Sequence, residues 1–499
     1  MLRSVAPHGV ALAILLWPLV GIVFVPMVDL PGHLAITRVL DDFLRGQYRD
    51  SLQWNLNPLH KPAYALLYAV FTLLPKSTVG PVAVGLIVAM FYAAICHGVA
   101  SLGRRSASSP LVVGLALLIA MFLYGSAFFW GLIPFLLSVP PALVAYVSYL
   151  RASGVVDAGP DPARRTSARA ARFVAAALLA HLVHPIASLF LAIMLAGAAG
   201  AAVVLELGSG RAAGAAARLR SIAWPLAGWA SAVGALHVLT APAGHELDLA
   251  RSAPAFAAPF HGVAAARAFL AQIPIELGIL PIRGPAPAVV SYPAAVGIFL
   301  AASCAAALAA AMMPRSADRR ASGGRPPATL GLPPIARLVV VLVLSALLFL
   351  FLRHDIVGLG RRLLWFPVRG PCFLVFFFGV LAAALVLRSL ESSRASRLVS
   401  SVLAACALAL AAERSAVLRV QFAAFDGKVR AFFHGDVPDR WFRSQPFSYA
   451  DHIRAYSCYF DDACPDHRAL FFSIYPDDAT IYPVSKAPTG ILRSPGDFR

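Results

Sequence analysis

The chain has 499 residues, 59% of them hydrophobic and 13% charged, with a mean hydropathy of +0.75. A soluble domain is about 25% charged, so a soluble core of this length is excluded and an all-α polytopic membrane protein is expected. The net charge of +18 sits mainly in arginines of short loops; it marks orientation and attraction to anionic membrane lipids, and with no basic, aromatic-interleaved domain present, nucleic acid is not an expected partner.

Arg3 precedes an apolar run from Val10 to Val28. No small-x-small cleavage site stands before the next polar stretch, so an uncleaved first span with a cytoplasmic N-terminus is expected. The stretch from Asp29 to Pro62 is then outside, and the chain is organised around it: Asp29 and His33 lie at one end, His60 and Lys61 at the other. Together these offer a base, hydrogen-bond partners and a cation, the parts needed to deprotonate an acceptor and stabilise an anionic leaving group. Ile36, Val39, Leu40, Phe43 and Leu44 repeat at helical spacing opposite Arg38, Asp41, Asp42 and Arg45, which predicts a helix along the membrane interface, ended by Gly46.

Pro62 to Leu74 is apolar for only about 13 residues, short for a span, and predicts an interfacial or re-entrant helix. Val79 to Leu102 is a full span ending at Arg104 and Arg105, and spans at Leu111 to Tyr124 and Trp130 to Leu150 form a hairpin. Tyr124, Phe128, Phe129 and Trp130 at its turn read as an interfacial aromatic belt ahead of a sugar platform. The hairpin returns to a loop with Arg151, Arg164, Arg165, Arg169 and Arg172, the strongest cytoplasmic signal in the chain. Phe173 to Leu205 is interrupted at His181, His184 and Pro185, predicting two short spans that turn near the outer surface, although one long tilted helix competes with this reading. His181 and His184 are spaced i, i+3 on one face, which suits metal binding or acceptor recognition; two ligands do not make a metal site, and a histidine bonded to a neighbouring helix is the simpler alternative.

Further spans are expected at Ile222 to Leu239, Ser291 to Met313, Leu338 to Leu352, Phe373 to Leu387 and Val399 to Ala411. The total is about 11 on a span length of roughly 20 residues. Residues 1–412 then form the membrane domain and 413–499 an extracytoplasmic tail. Arg353 to Arg369 is an outer arginine run, either a snorkelling rim or an anion site. Cys96, Cys304, Cys372 and Cys406 lie in or beside apolar runs as small buried hydrophobes. Cys458 and Cys464 flank YFDDA in the tail, close enough in sequence for a disulfide in an oxidising compartment, or stand as two unrelated thiols.

Asp29 just after the first span, Arg38 to Leu40, Gly46 with Tyr48, and HKPAYALLYAVFTLLP together resemble the GT-C glycosyltransferases. These are polytopic enzymes using polyprenyl-phosphate sugars and include aminoarabinose transferases and protein O-mannosyltransferases. The resemblance covers the first hundred residues or so, and RRLLWFPVRGP is similar to a late outer element of the family. It implies Asp29 as general base, Lys61 as a ligand of the lipid phosphate, and Arg362 or Arg361 facing that phosphate. His33, His60, His181 and His184 join these as candidate substrate-binding residues. The chain departs from the family in carrying Leu30 in place of the second acid, His60 where Glu is common, and no Asp in the turn Gly125 to Trp130. No clear ligand set supports a divalent metal cofactor.

The expected function is transfer of a sugar from a polyprenyl-phosphate donor to a glycan, lipid or protein acceptor on the outer face of a bacterial inner membrane. The alternatives are a non-catalytic protein that binds or moves lipid-linked saccharides, and an assembly subunit whose tail contacts a partner.

Overall fold

Pro, Gly and the lengths of the apolar runs divide this chain into helices. The computed structural model describes residues 2–47, 52–53, 61–155, 163–208, 212–239, 271, 273, 334–352, 366–390, 395–434, 456, 459–460 and 484–485. In chain order these form α1 (Leu2–Leu16), α2 (Leu30–Leu44), β1 (Leu52–Gln53), α3 (Lys61–Leu73), α4 (Lys76–Gly103), α5 (Pro110–Ala120), α6 (Ser126–Trp130), α7 (Ile133–Ala152), α8 (Ala163–Val183), α9 (Pro185–Gly208) and α10 (Ala212–Leu239). They continue as α11 (Pro334–Leu352), α12 (Phe366–Ser389), α13 (Ala395–Phe433) and β2 (Val484–Ser485). Single 3-10 turns extend α1 through Leu19 and α5 through Leu123.

Among the described residues five helical stretches are long and apolar enough to cross a membrane: Lys76–Gly103, Ile133–Ala152, Pro185–Leu205, Arg369–Ser389 and Leu398–Phe433. Helices α10 and α11 cover two more of the expected runs, and the run Ser291 to Met313 lies outside the described residues. The helices α7 and α8 pack along each other, α9 packs on α11, and α4 is wedged between α5, α7 and α12. Close approach at the buried Gly98, whose added Cβ would lie 2.9 Å from Val380 Cγ1 and 3.3 Å from Val147 Cγ2, fixes α4 against both α12 and α7.

The first apolar run is not one helix. The helical part stops at Leu19, and Val20 to Asp29 is irregular yet largely buried, with Phe24, Val25, Met27 and Val28 at most 7% exposed. Irregular backbone inside a membrane body must find internal partners, and it does. The Asp426 carboxylate of α13 accepts the Val23 and Phe24 amides at 2.9 and 2.7 Å. The Val28 and Asp29 amides donate to Phe129 and Trp130 carbonyls at 2.9 and 3.1 Å.

The helix α2 also departs from expectation, because both of its faces are covered. Asp41 and Asp42 are only 6% and 2% exposed, so this is not an amphipathic helix with a wet side. Its charges are instead internally paired, Arg38 with Asp42 at 3.0 Å and Arg45 with Asp41 at 2.9 Å, each one helical turn apart. Gly46 closes the helix with φ of 96°, the left-handed geometry that glycine supplies without strain.

A single helix, α13, runs across the position at which the polar tail is expected to begin. Its 39 residues extend about 58 Å at 1.5 Å per residue, roughly twice a hydrocarbon core. Arg414, Leu418, Phe422, Phe425 and Val429 recur at helical spacing on its buried face. The aromatic turn departs from expectation, while two of the cysteines follow it. Tyr124, Phe128 and Phe129 are 0%, 1% and 2% exposed and stack around Phe422, so they are core and not a lipid-facing belt. Cys96 and Cys372 are buried, whereas Cys406 is exposed on α13.

Beyond α13 the described tail residues return to the first loop. Tyr456 and Phe460 pack edge-on against Phe24, Tyr459 meets Phe71, the Tyr459 hydroxyl donates to Lys76 O at 2.9 Å, and Lys76 Nζ donates to Phe460 O at 3.0 Å. The strand β2 pairs antiparallel with β1 of the loop, Leu52 opposite Ser485 and Gln53 opposite Val484.

Candidate functional site

Two short helices carry the residues that the sequence singles out. Asp29 is the N-cap of α2, and its carboxylate does not cap its own helix; Lys61 is the first residue of α3. Two side-chain bonds tie these helices together. His33 Nδ1 and the Tyr64 hydroxyl lie 2.8 Å apart, and the Tyr68 hydroxyl donates to Asp41 Oδ1 at 3.2 Å. Both pairings advance in the same chain direction, so α2 and α3 point their N-termini the same way. Asp29 and Lys61 therefore stand at the same end, one turn before the His33–Tyr64 pair.

This end concentrates positive potential, because two helix N-termini converge there beside an ammonium group. Lys61 is half-buried, and desolvation lowers its ammonium from 10.5 to about 8. A cation held there without full hydration is poised to gain from an anionic ligand, which returns the lost solvation.

Asp29 is fixed through its backbone by the turn between α6 and α7. Its amide donates to Trp130 O, and Gly131 sits against it with φ of 76°, where an added Cβ would come within 2.7 Å of Asp29 N and 3.0 Å of Leu30 N. Asp29 is partly buried, while Leu30 beside it is 1% exposed and belongs to the core.

The same turn leads into Phe135, which gathers the second group of residues. The His184 ring meets Phe135 edge-on with centroids 5.8 Å apart, and the Arg369 guanidinium carbon lies 5.7 Å from the Phe135 centroid. Helices α8 and α9 break at His184, as the His-Pro pair predicts, and pack on each other. The Ile186 amide donates to His184 Nδ1 at 3.3 Å, which assigns the imidazole proton of a neutral His184 to Nε2. His181 and His184 are buried, at 5% and 7% exposed.

Asp29, His33 and Lys61 thus come together across α2 and α3, and His184 joins the same end of the body through Phe135. His60, Arg361, Arg362, Cys458 and Cys464 lie outside the described residues. Among the described residues no three His, Cys, Asp or Glu side chains gather to hold a metal ion.

Sequence reasoning missed Tyr64 and Tyr68, Asp426, and Arg369 with Phe135. The tyrosines left a signal, since they fall at i, i+4 on one face of α3. Asp426 left one too, being an acid with Arg430 at i+4 inside the aromatic stretch QFAAFDGKVRAFF. The Phe135 and Arg369 pairing left none, because the two are 234 residues apart and nothing in RRLLWFPVRGP, which holds Arg369, points to Phe135.

The chain matches no protein-family model and no curated protein sequence.

Proposed function

We propose that this chain is an integral membrane glycosyltransferase, moving a sugar from a polyprenyl-phosphate donor to an acceptor hydroxyl at the end that carries Asp29. The observation that carries the reading is the position of Asp29 and Lys61 at the co-directional N-termini of two helices joined by hydrogen bonds. Asp29 takes the proton of the acceptor hydroxyl as that oxygen attacks the anomeric carbon. The bond between the anomeric carbon and the phosphate oxygen breaks, with inversion, and the electron pair leaves on the polyprenyl phosphate. Lys61 and the two helix N-termini hold that phosphate, whose charge grows in the transition state. Arg361 and Arg362 join it on the strength of the resemblance alone.

Orientation follows from charge. Arg104, Arg105, Arg151, Arg169 and Arg172 occupy the end of the helical body away from Asp29, and positive residues next to spans favour the cytoplasm. The site then faces outward across a bacterial inner membrane.

A second reading, a non-catalytic protein that binds or moves lipid-linked saccharides, is favoured by one observation. Leu30, which stands where the family carries its second acid, is buried in the core, so that position supplies no carboxylate to the site.

The deciding experiment measures transfer of radiolabelled sugar from polyprenyl-phosphate donors in membranes, with donor binding followed in parallel. Transfer that collapses in Asp29→Asn with donor binding intact, and in Lys61→Ala with donor binding weakened, supports the enzyme. Donor binding without transfer in the wild type supports the second reading, and normal transfer by Asp29→Asn removes Asp29 from the mechanism.

A further inference from the structure

The end opposite Asp29 carries a cluster that the transfer reaction does not use. Helix α4 starts beside α2, where Gly80 faces Leu30 and Leu34, and ends at Gly103; α7 starts beside Asp29 and ends at Ala152; α8 ends at Val183, beside His184, and so begins at the far end. His97 on α4, Arg151 on α7, and Arg169 and Arg172 on α8 therefore converge where these three packed helices meet. Contact of the Tyr149 and Phe173 rings, with centroids 5.5 Å apart, sets Arg172 level with the last turn of α7. The Arg151 and Arg172 guanidiniums both lie within electrostatic reach of the His97 imidazole.

Two features make this more than a rim of solvated arginines. His97 lies six residues before the last residue of α4, about 9 Å down the helix axis, and is half-buried there with apolar neighbours. Arg151 Nε is a buried donor with no hydrogen-bond partner, and so is the Tyr149 hydroxyl nearby. Among the described residues neither Arg151 nor Arg172 forms an ion pair with a carboxylate. Like charges brought together with a buried donor left over are stabilised by an anion. Polar groups set within the last turns of packed helices lie at the depth of a lipid headgroup.

We propose that the cluster of His97, Arg151 and Arg172, where α4, α7 and α8 meet, holds the phosphodiester of an anionic phospholipid, with Arg151 and Arg172 on the phosphate oxygens and His97 on the headgroup. This does not depend on what happens at the Asp29 end.

The test is lipid retention in native mass spectra of the full chain, released from vesicles of equal phosphatidylglycerol and phosphatidylcholine. The wild type is expected to retain phosphatidylglycerol in preference, Arg151→Gln with Arg172→Gln to lose that preference by roughly tenfold, and Arg151→Lys with Arg172→Lys to keep part of it. Monodisperse elution of each variant controls for folding. The proposal is overturned if the wild type shows no preference, or if the glutamine variant retains as much as the wild type. It is also overturned if millimolar inorganic phosphate strips the lipid, which would give the cluster to a soluble anion. Preference seen only after Asp157→Asn with Asp161→Asn would overturn it too, by assigning the arginines to the chain's own carboxylates.

Discussion

Asp426 accepts the backbone amide of Phe24 at 2.7 Å across 402 residues of sequence, and that of Val23 at 2.9 Å. The bond explains how an apolar segment can leave the helix inside the body. Without it, two amide donors between α1 and α2 would be buried and unpaired, and the segment that delivers Asp29 would lose its anchor.

Asp426→Ala should therefore destabilise the protein by about 2 to 4 kcal/mol, the cost of two orphaned buried donors. Arg430 pairs with the same carboxylate but is 47% exposed, so Arg430→Ala should cost less than about 1 kcal/mol. Thermal unfolding in detergent checks both; equal losses would mean that the ion pair, and not the backbone capping, is what matters.

Gly131→Ala should impair transfer while leaving the helices in place. The substitution meets left-handed backbone, costing about 1 to 2 kcal/mol, and pushes on Asp29 N at 2.7 Å. Gly9→Ala and Gly200→Ala, where an added Cβ meets nothing within 4 Å, should leave activity unchanged. A Gly131→Ala variant as active as those two would show that the turn does not position Asp29.

Donor affinity should fall as pH rises. Burial lowers Lys61 to about 8, so its positive charge is present below that pH and is lost above it. An anionic ligand binds the protonated form, and affinity should drop by up to about tenfold per pH unit above 8 until the pKa of the complex is reached. Lys61→Arg stays charged across this range and should flatten the profile. Binding titrations between neutral pH and pH 9.5 would decide it, and an unchanged slope in Lys61→Arg would assign the titration to another group.

Tyr64→Phe and Tyr68→Phe should each cost about 1 kcal/mol by removing one of the two bonds between α2 and α3. Their effects on transfer should differ. Tyr64 lies one turn from Asp29 and Lys61, so its loss loosens the ends that carry the chemistry, whereas Tyr68 ties α2 far from Asp29. A steady-state comparison should show a larger fall in kcat for Tyr64→Phe; a larger fall for Tyr68→Phe would move the working end to Asp41.

Cutting the chain after His434 should expose Phe24 and Phe71, which Tyr456, Tyr459 and Phe460 cover. Lower thermal stability and faster proteolysis between α1 and α2 are expected. An unchanged cleavage pattern would mean that the tail packs there without protecting the loop.

Much of the helical pattern is legible in the sequence because hydropathy and helix breakers act locally. The expected run Val79 to Leu102 becomes Lys76–Gly103, Pro62 to Leu74 becomes Lys61–Leu73, and the break at His184 falls before its proline. The first run misleads because hydropathy reports burial and not conformation. Pro18, Gly21 and Pro26 mark the break, but only a partner for the freed amides makes it affordable. The charged face of α2 misleads in the same way, since Arg38 and Arg45 hide the two aspartates that read as a wet surface.

By itself the sequence determines that this chain is a set of apolar helices with arginines in the short loops between them, since these follow from composition and short-range periodicity. Only the tertiary structure decides which polar groups meet. Asp426 reaches Val23 and Phe24, Gly131 seats Asp29, and Tyr64 meets His33, because a buried hydrogen bond is selected by the packing that excludes water around both partners. No local pattern records which distant segment will supply the second one.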